Sequence, residues 1–348
     1  MYQGKRISVA MAAYNGAEFI GEQLDSILNQ SVLPDEIVIS DDGSRDQTVA
    51  IAAQYAAQYR DRVTLTVLTD NPRHGIGGNF EWAIRHCGGD YIFICGQDDI
   101  GLPEKVRRVA DLFLAHPKAA FVCHDLICAD AAGTPQPDWP VNSMLRKLEI
   151  PQSSGFHIPR GAYLESVLGS VLISGPAACI SKSFVDQCLP IPPGLAEDWW
   201  IQFCAVAVDG AYYWNEVLTR YRIHNSTTHS VGMGFFSRAK KTLGTVRAAT
   251  HRSSMLLQFS RSAGSYMDRV CRDCEGYASA AGTVRRISEI GEQVFTACQS
   301  GRIRGALLLT RLYRRDQRYR RIGRNNYLTQ LANILLYSKA RRRKEMGL

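Results

Sequence analysis

Residues 90–106 have the sequence DYIFICGQDDIGLPEKV, in which an apolar run stops at two adjacent carboxylates. The run at 91–95 has the length and composition of a buried strand, and Pro103 marks the first turn of a helix after it. An acid at this point either caps that helix or holds a divalent cation. Two adjacent acids, Asp98 and Asp99, exceed what a single cap needs.

The same order of apolar run, turn and amphipathic segment recurs along the first half of the chain, at intervals of roughly 25–30 residues. This alternation predicts an α/β fold with a mostly parallel, Rossmann-like sheet flanked by helices. In such sheets ligands bind at the carboxyl ends of the strands. We therefore expect three polar strand ends to share one site: Tyr14-Asn15-Gly16, Asp41-Asp42-Gly43-Ser44 and Gln97-Asp98-Asp99.

Two more polar stretches could carry chemistry. Glu197 and Asp198 precede two tryptophans, and burial there would raise the pKa of a carboxylate and suit a general base. A helix cap is the alternative for this pair, as an Asx turn is for the DDGS stretch at 41–44. His224, in YRIHN, could bind a metal or phosphate or have no role. HGIGGN at 74–79 lacks the spacing of a dinucleotide fingerprint and predicts a flexible helix start.

The charge of the chain is divided unevenly. Residues 1–234 carry 17 Lys/Arg and 26 Asp/Glu, a net charge of −9, whereas residues 235–348 carry 24 and 7, a net charge of +17. This division predicts a catalytic domain over 1–234 and a basic α-helical region over 235–348. Arg-rich helices of this kind lie on anionic membranes or bind nucleic acid, and packing on the enzyme is the third alternative.

Four motifs, in this order along the chain, resemble those of family 2 glycosyltransferases with a GT-A fold. They are ISVAMAAYNG with DDGS (7–44), GIGGNFEWAIRHCGGDYIFICGQDD (75–99), EDWW (197–200) and YRIHN (221–225). The resemblance covers about residues 5–230. It is nearest to the bacterial subgroup that builds O-antigen and other surface polysaccharides, which is rhamnosyltransferase-like.

The resemblance implies a site for a nucleoside-diphosphate sugar with Mg²⁺ or Mn²⁺. Its nucleotide-binding residues would be Ala13, Tyr14, Asn15, Asp41, Asp42 and Asn79. Its metal ligands would be Asp98, His224 and Asp99, with Asp198 as the general base. Acceptor and sugar contacts would come from Gly175, Glu197 and Trp199. The family's Asp-x-Asp element reads Gly96-Gln97-Asp98 here, so its first acid is absent.

The implied activity is inverting transfer of a hexose or rhamnose to a growing glycan acceptor, with a polyprenyl-diphosphate-linked acceptor expected. The expected location is the cytoplasm, peripheral at the inner face of the cytoplasmic membrane, which the basic region would contact. Nucleic acid is not expected as a partner, because the catalytic half is acidic. Two alternatives stay open: a non-catalytic GT-A binding protein, suggested by Gly96, and a nucleotidyltransferase.

Overall fold

The computed structural model describes residues 1–137, 155–169, 173–224, 257–274, 276–300 and 307–309, called here the described residues. The chain divides into two compact units. The first comprises residues 1–163 and 170–232, and the second comprises residues 164–169 and 233–348. All of the polar strand ends predicted to form a site belong to the first unit.

One sheet runs through the first unit, with the strand order β3-β2-β1-β4-β8-β6-β9-β5 and with β7 paired to β9. The strands are β1 (Ile7–Ala13), β2 (Glu36–Asp41), β3 (Thr64–Leu68), β4 (Tyr91–Cys95), β5 (Ile100–Gly101), β6 (Phe121–Ala129), β7 (Phe156–His157), β8 (Ala178–Ser181) and β9 (Ala211–Arg222). Strands β1 to β4 pair in parallel, as does β6 with β9. Strand β8 is antiparallel to β4 and β6, and β5 and β7 are antiparallel to β9.

Helices connect the strands of the first unit, and helices make up the described part of the second. They are α1 (Ile20–Leu28), α2 (Thr48–Tyr59), α3 (Ile76–His86), α4 (Lys105–Ala115), α5 (Arg160–Gly169), α6 (Lys182–Cys188), α7 (Glu197–Ala207), α8 (257–270) and α9 (Tyr277–Gln299), with a 3₁₀ turn at Gly175–Ala177. None of the described helices has both the length and the apolar character needed to cross a bilayer. The Arg-rich stretches at 311–324 and 340–345 lie outside the described residues.

The predicted α/β sheet flanked by helices is confirmed. All five residues of β4 are buried, as expected for a central strand covered on both faces. Helix α1 buries Ile20, Leu24, Ile27 and Leu28, the stripe that its periodicity predicts. The structure adds antiparallel pairs that the sequence pattern did not show, because β5 and β7 have two residues each and β8 has four.

Pairing brings the polar segments to one edge of the sheet. Strands β1 and β2 are parallel with Ala13 opposite Asp41, so both end at this edge, as β4 does. Strand β8 is antiparallel to β4, with Cys179 opposite Phe93. Its amino-terminal end, the Gly175–Ala177 turn, is therefore beside the carboxyl end of β4.

Helix α3 packs closely against the segment that leads into α7. Glu81 accepts hydrogen bonds from the Ile191 N–H (2.8 Å) and from Arg85 Nε (2.9 Å), and the backbone of Gly77 faces Leu195. A Cβ added at Gly77 would lie 2.2 Å from the Leu195 carbonyl oxygen. Only glycine allows this approach, because both partners are backbone.

We predict that Gly77→Ala destabilises the protein by about 1–3 kcal/mol, the usual cost of overpacking a rigid site. The matched control is Gly21→Ala, at the second position of α1, where a new Cβ would make an ordinary 3.6 Å contact with Tyr55. That control should be neutral or stabilising by up to about 1 kcal/mol, since Ala favours a helix over Gly. Urea denaturation measures both, and equal effects would contradict the prediction.

Candidate active site

The loop after β4 and the end of β9 meet at Asp98. Nε2 of His224, two residues beyond β9, lies 2.9 Å from Asp98 Oδ2. The His224 side chain is 10% exposed and that of Asp98 is 26% exposed, so solvent reaches the carboxylate. The imidazole packs on the Phe19 ring with centroids 4.4 Å apart. The fold thus brings together two residues predicted to bind a metal.

Asp99 lies behind this pair, with 3% of its surface exposed. It accepts a hydrogen bond from the Arg222 N–H (3.3 Å), and burial raises its pKa well above the usual range, with the Asp98 charge adding to the effect. The Arg222 guanidinium donates to the Asp98 carbonyl oxygen (2.8 Å), to that of Ala131 (2.6 Å) and to the Glu22 carboxylate. These bonds hold the loop after β4 through its backbone and leave the Asp98 carboxylate free of that guanidinium.

Lys105 links the acids to the turn that precedes β8. Its Nζ donates to the Pro176 carbonyl oxygen at 2.7 Å, and the residue is 7% exposed. Burial lowers the pKa of Lys105, and the neighbouring Asp99 acts in the opposite direction. The sequence pattern did not mark Lys105, because a lysine in the first turn of an amphipathic helix is expected at the surface.

The acid pair at the start of α7 is buried beside the Gly175 turn. Glu197 is 5% exposed and Asp198 is 6% exposed. A Cβ at Gly175 would lie 2.9 Å from Glu197 Oε1, and Oε2 has no hydrogen-bond partner among the described residues. Burial and then the Asp198 charge raise the Glu197 pKa well above the usual range. Asp198 Oδ1 accepts from the Trp199 N–H at 2.7 Å.

Tyr221 is the second-to-last residue of β9. Burial is the largest cause of its raised pKa, followed by the charges of Asp99, Asp98 and Asp198. The charges of acids from two separate segments thus add to the effect of burial on the Tyr221 pKa. The sequence pattern did not point to Tyr221, whose position depends on strand pairing.

Three predicted nucleotide-binding residues, Ala13, Asp41 and Asn79, are buried, and the last two hold the strand ends through hydrogen bonds. Asp41 Oδ2 accepts from the N–H groups of Gly43 (3.0 Å) and Ser44 (2.8 Å), which is the Asx turn given as its alternative role. Asn79 is 3% exposed, and its Nδ2 donates to the Ala13 carbonyl oxygen at 3.1 Å. Asn79 therefore holds the Ala13 backbone in place from the interior of the protein.

Tyr14, Asn15 and Asp42, which are also predicted to bind the nucleotide, reach the surface. Tyr14 is 54% exposed. Asn15 has a φ of 47°, and its Oδ1 accepts from the Arg45 N–H at 2.8 Å. Asp42 Oδ2 accepts from the Gly75 N–H at 2.9 Å. Three loops are tied together here, after β1, after β2 and before α3, and Tyr14 is an exposed aromatic side chain on the first of them.

We predict that Glu197 makes stability fall as pH rises. Its pKa is raised on folding, so its contribution is complete below the unfolded value of 4.5 and is lost as pH rises toward the folded pKa. Glu197→Gln keeps a neutral side chain at every pH. The free energy of unfolding of Glu197→Gln minus that of wild type should increase by about 1 kcal/mol or more between about pH 5 and about pH 8.

The control for this comparison is Asp61→Asn, because the Asp61 side chain is 91% exposed. Urea denaturation at the two pH values measures all three proteins. Parallel pH profiles for wild type and Glu197→Gln would show that Glu197 is charged in the folded protein, contrary to the prediction.

Comparison with known proteins gives a family match for the first part of the chain. Residues 8–165 match the model of the Glycosyl transferase family 2 family. EpsE of Bacillus subtilis, which carries a glycosyltransferase name, is 32% identical over 133 residues, covering 38% of this chain and 47% of EpsE. An uncharacterised glycosyltransferase of Nostoc sp., alr2836, is 25% identical over 236 residues, covering 64% of this chain and 66% of that protein. The matches thus span about half to two thirds of these relatives.

A solved structure supports the fold. That of Staphylococcus aureus TarS residues 1–349 in complex with UDP-GlcNAc has a TM-score of 0.58 at 15% identity, over 97% of this chain and 92% of that one. At this identity the likeness establishes the architecture of the sheet and helices. Residues 8–165 are thus similar to the Glycosyl transferase family 2 family, and the architecture of the chain is a GT-A fold.

Proposed function

We propose that this protein is an inverting, divalent-metal-dependent glycosyltransferase that moves a sugar from a nucleoside diphosphate to a hydroxyl group of a glycan. The observation that carries the proposal is geometric: Asp98 and His224 lie 2.9 Å apart beyond the carboxyl end of β4, and the Gly175 turn beside the same strand end adjoins Glu197. Transfer from such a donor needs a cation for the leaving diphosphate and a base for the acceptor hydroxyl. This arrangement supplies both kinds of group within one corner of the sheet.

Asp98, Asp99 and His224 are called here the acid corner. They suit a hard cation that also binds phosphate oxygens. No group of three or more His, Cys, Asp or Glu among the described residues is arranged to hold a metal alone. Asp98 and His224 offer one oxygen and one nitrogen 2.9 Å apart, and Mg²⁺ and Mn²⁺ typically complete their shells with phosphate oxygens and water. We assign Asp98 and His224 as the ligands, with Asp99 supporting them from the interior. When bound, the cation would offset the charge of the departing diphosphate.

Asp198 is the proposed general base. The acceptor oxygen attacks the anomeric carbon, its proton passes to Asp198, and the bond from that carbon to the diphosphate oxygen breaks. A single displacement of this kind inverts the configuration at the anomeric carbon. Burial and then the Asp198 charge raise the pKa of Glu197 well above its usual range, so we assign the role of base to Asp198. Gly175 and Trp199 flank this pair and are the proposed acceptor contacts.

The donor nucleotide is proposed to lie along the loops of Tyr14, Asn15 and Asp42. Exposed tyrosine rings stack on bases at modest entropic cost. The buried residues Ala13, Asp41 and Asn79 would shape this surface from below. The TarS structure with UDP-GlcNAc has a comparable fold, which is consistent with a nucleotide-sugar donor.

The acceptor and the cellular role are proposed from the sequence. A glycan on a polyprenyl diphosphate, in the synthesis of bacterial surface polysaccharide, fits an enzyme whose last 114 residues have a net charge of +17. Basic segments bind anionic lipid by about 1 kcal/mol per charge near the surface. Rhamnose or a hexose is the proposed sugar, and the basic region from 235 to 348 is the proposed contact with the inner face of the membrane.

The test of the function is product analysis with UDP-glucose, dTDP-rhamnose and GDP-mannose. In the presence of Mn²⁺, at least one donor should yield a free sugar and a nucleoside diphosphate by slow hydrolysis, and EDTA should abolish the reaction. A nucleotidyltransferase would instead break the bond between the two phosphates and release a nucleoside monophosphate and a sugar 1-phosphate. A purely binding protein would raise its melting temperature with a donor and release nothing.

Asp198→Asn should lower transfer by ~10²–10⁴-fold, the usual worth of general-base assistance. Donor affinity should stay within about twofold, because the base contacts the acceptor and not the nucleotide. Asp186→Asn, on the exposed face of α6, is the matched control. Titration calorimetry and product formation measure the two quantities. A variant that lost donor binding along with turnover would argue against the assignment.

A further inference from the structure

Gln97 makes an unusual pair of hydrogen bonds across the ends of two strands. Its Oε1 accepts from the Tyr14 N–H at 2.8 Å, and its Nε2 donates to the Tyr14 carbonyl oxygen at 2.9 Å. The parallel pairing of β1 with β4 has Met11 opposite Cys95 as its last pair. Beyond that pair, the side chain of Gln97 satisfies both backbone groups of Tyr14, as a neighbouring strand would.

Gly16 provides the space for this amide. A Cβ at position 16 would lie 2.0 Å from Gln97 Oε1 and 2.1 Å from its Cδ. Gly16 is absent from the residues with positive φ, so its backbone conformation is open to other amino acids. The requirement for glycine here is steric, and it arises from Gln97, which is 81 positions away in the chain.

We infer that Gln97 is a positioning residue that sets the Tyr14 loop relative to Asp98. Gln97 is adjacent to Asp98 in the chain and is bonded to Tyr14 through space. One side chain therefore relates the surface proposed for the base to the carboxylate proposed for the metal and diphosphate. The ligand class is a nucleoside diphosphate, whose base and phosphates are bound at a set separation. This inference rests on the proposed function and goes beyond it.

The first acid of the Asp-x-Asp element is absent in this chain, which makes the contact between Gln97 and Tyr14 more important. Gly96 has no side chain that could contact the nucleotide sugar, and a Cβ built there would lie 2.9 Å from Asp98 Oδ1. The protein side chains around the donor are therefore fewer at this corner than in an Asp-x-Asp site. A rigid Tyr14 loop lowers the entropic cost of binding with the groups that remain.

The role predicts a separation of kinetic effects. Gln97 is bonded to protein backbone and is not placed at the reacting atoms. Loosening the Tyr14 loop should weaken the ground state and the transition state equally, which raises KM for the donor and leaves kcat nearly unchanged. The demand for Mn²⁺ should also stay the same, because Asp98 and His224 keep their positions.

The test is Gln97→Met, which keeps the length of the side chain and removes both hydrogen bonds. With the donor that wild type hydrolyses fastest among UDP-glucose, dTDP-rhamnose and GDP-mannose, KM should rise about tenfold, equivalent to about 1.4 kcal/mol. The kcat and the half-saturating Mn²⁺ concentration should change by less than about threefold. Gln54→Met, on the exposed face of α2, should behave as wild type.

A double-mutant cycle tests the same contact from the other side. Gly16→Ala should raise KM by a similar factor, because the new methyl group displaces the Gln97 amide. In the Gln97→Met background, whose flexible thioether can move aside, Gly16→Ala should add little. If Gly16→Ala costs as much there as in wild type, the glycine serves another contact and the inference is wrong.

The outcomes separate the inference from the proposed function. If wild type binds and hydrolyses no donor, both fail. If wild type is active and Gln97→Met keeps its KM within about twofold, the inference alone fails. A changed Mn²⁺ requirement with unchanged KM also overturns it, because Gln97 would then act on the metal. Gln97→Glu, which keeps the acceptor but opposes a carboxylate to the Tyr14 carbonyl, should lose affinity as Gln97→Met does.

Discussion

A carboxylate that leaves water needs a cation or hydrogen-bond donors nearby, or it keeps its proton. This constraint applies at the carboxyl edge of the sheet, where Asp99, Asp198 and Glu197 are all nine-tenths buried or more. Asp99 has the Arg222 amide and the Lys105 charge as partial compensation. Glu197 has an oxygen with no partner among the described residues, and its pKa is correspondingly raised. The acids of the site therefore differ in their surroundings although their side chains are similar.

The cations that balance these acids are also structural ties. Arg222 bonds to backbone of two separate loops, and Lys105 bonds to the turn that carries Gly175. Each connects the acid corner to another part of the sheet edge. Replacing either Arg222 or Lys105 by a neutral residue would leave a buried acid without its compensating charge and would also release a loop. The electrostatics and the geometry of the site are therefore coupled.

Local patterns in the chain predicted much of the fold. Strand β4 and helix α1 follow from hydrophobic periodicity, which depends on residues close together in the chain. The pairings of β5, β7 and β8 did not follow, because strands of two to four residues carry too little pattern and their partners are distant. The candidate site divides in the same way. Asp98, Asp198 and His224 were predicted from motifs, and Gln97 was expected at the same edge. The bond from Gln97 to Tyr14 was not predicted, and Lys105 and Tyr221 were not marked at all.

The sequence by itself determined that acids and polar turns follow successive strands, and hence which edge of an α/β sheet would carry the site. It also determined the family resemblance, because motif order is a property of the chain alone. Only the tertiary structure decided which carboxylates are buried and which remain open to solvent, since burial depends on neighbours from other segments. It likewise decided that the residue between Gly96 and Asp98 holds Tyr14. That contact joins positions 83 residues apart, and no local pattern specifies it.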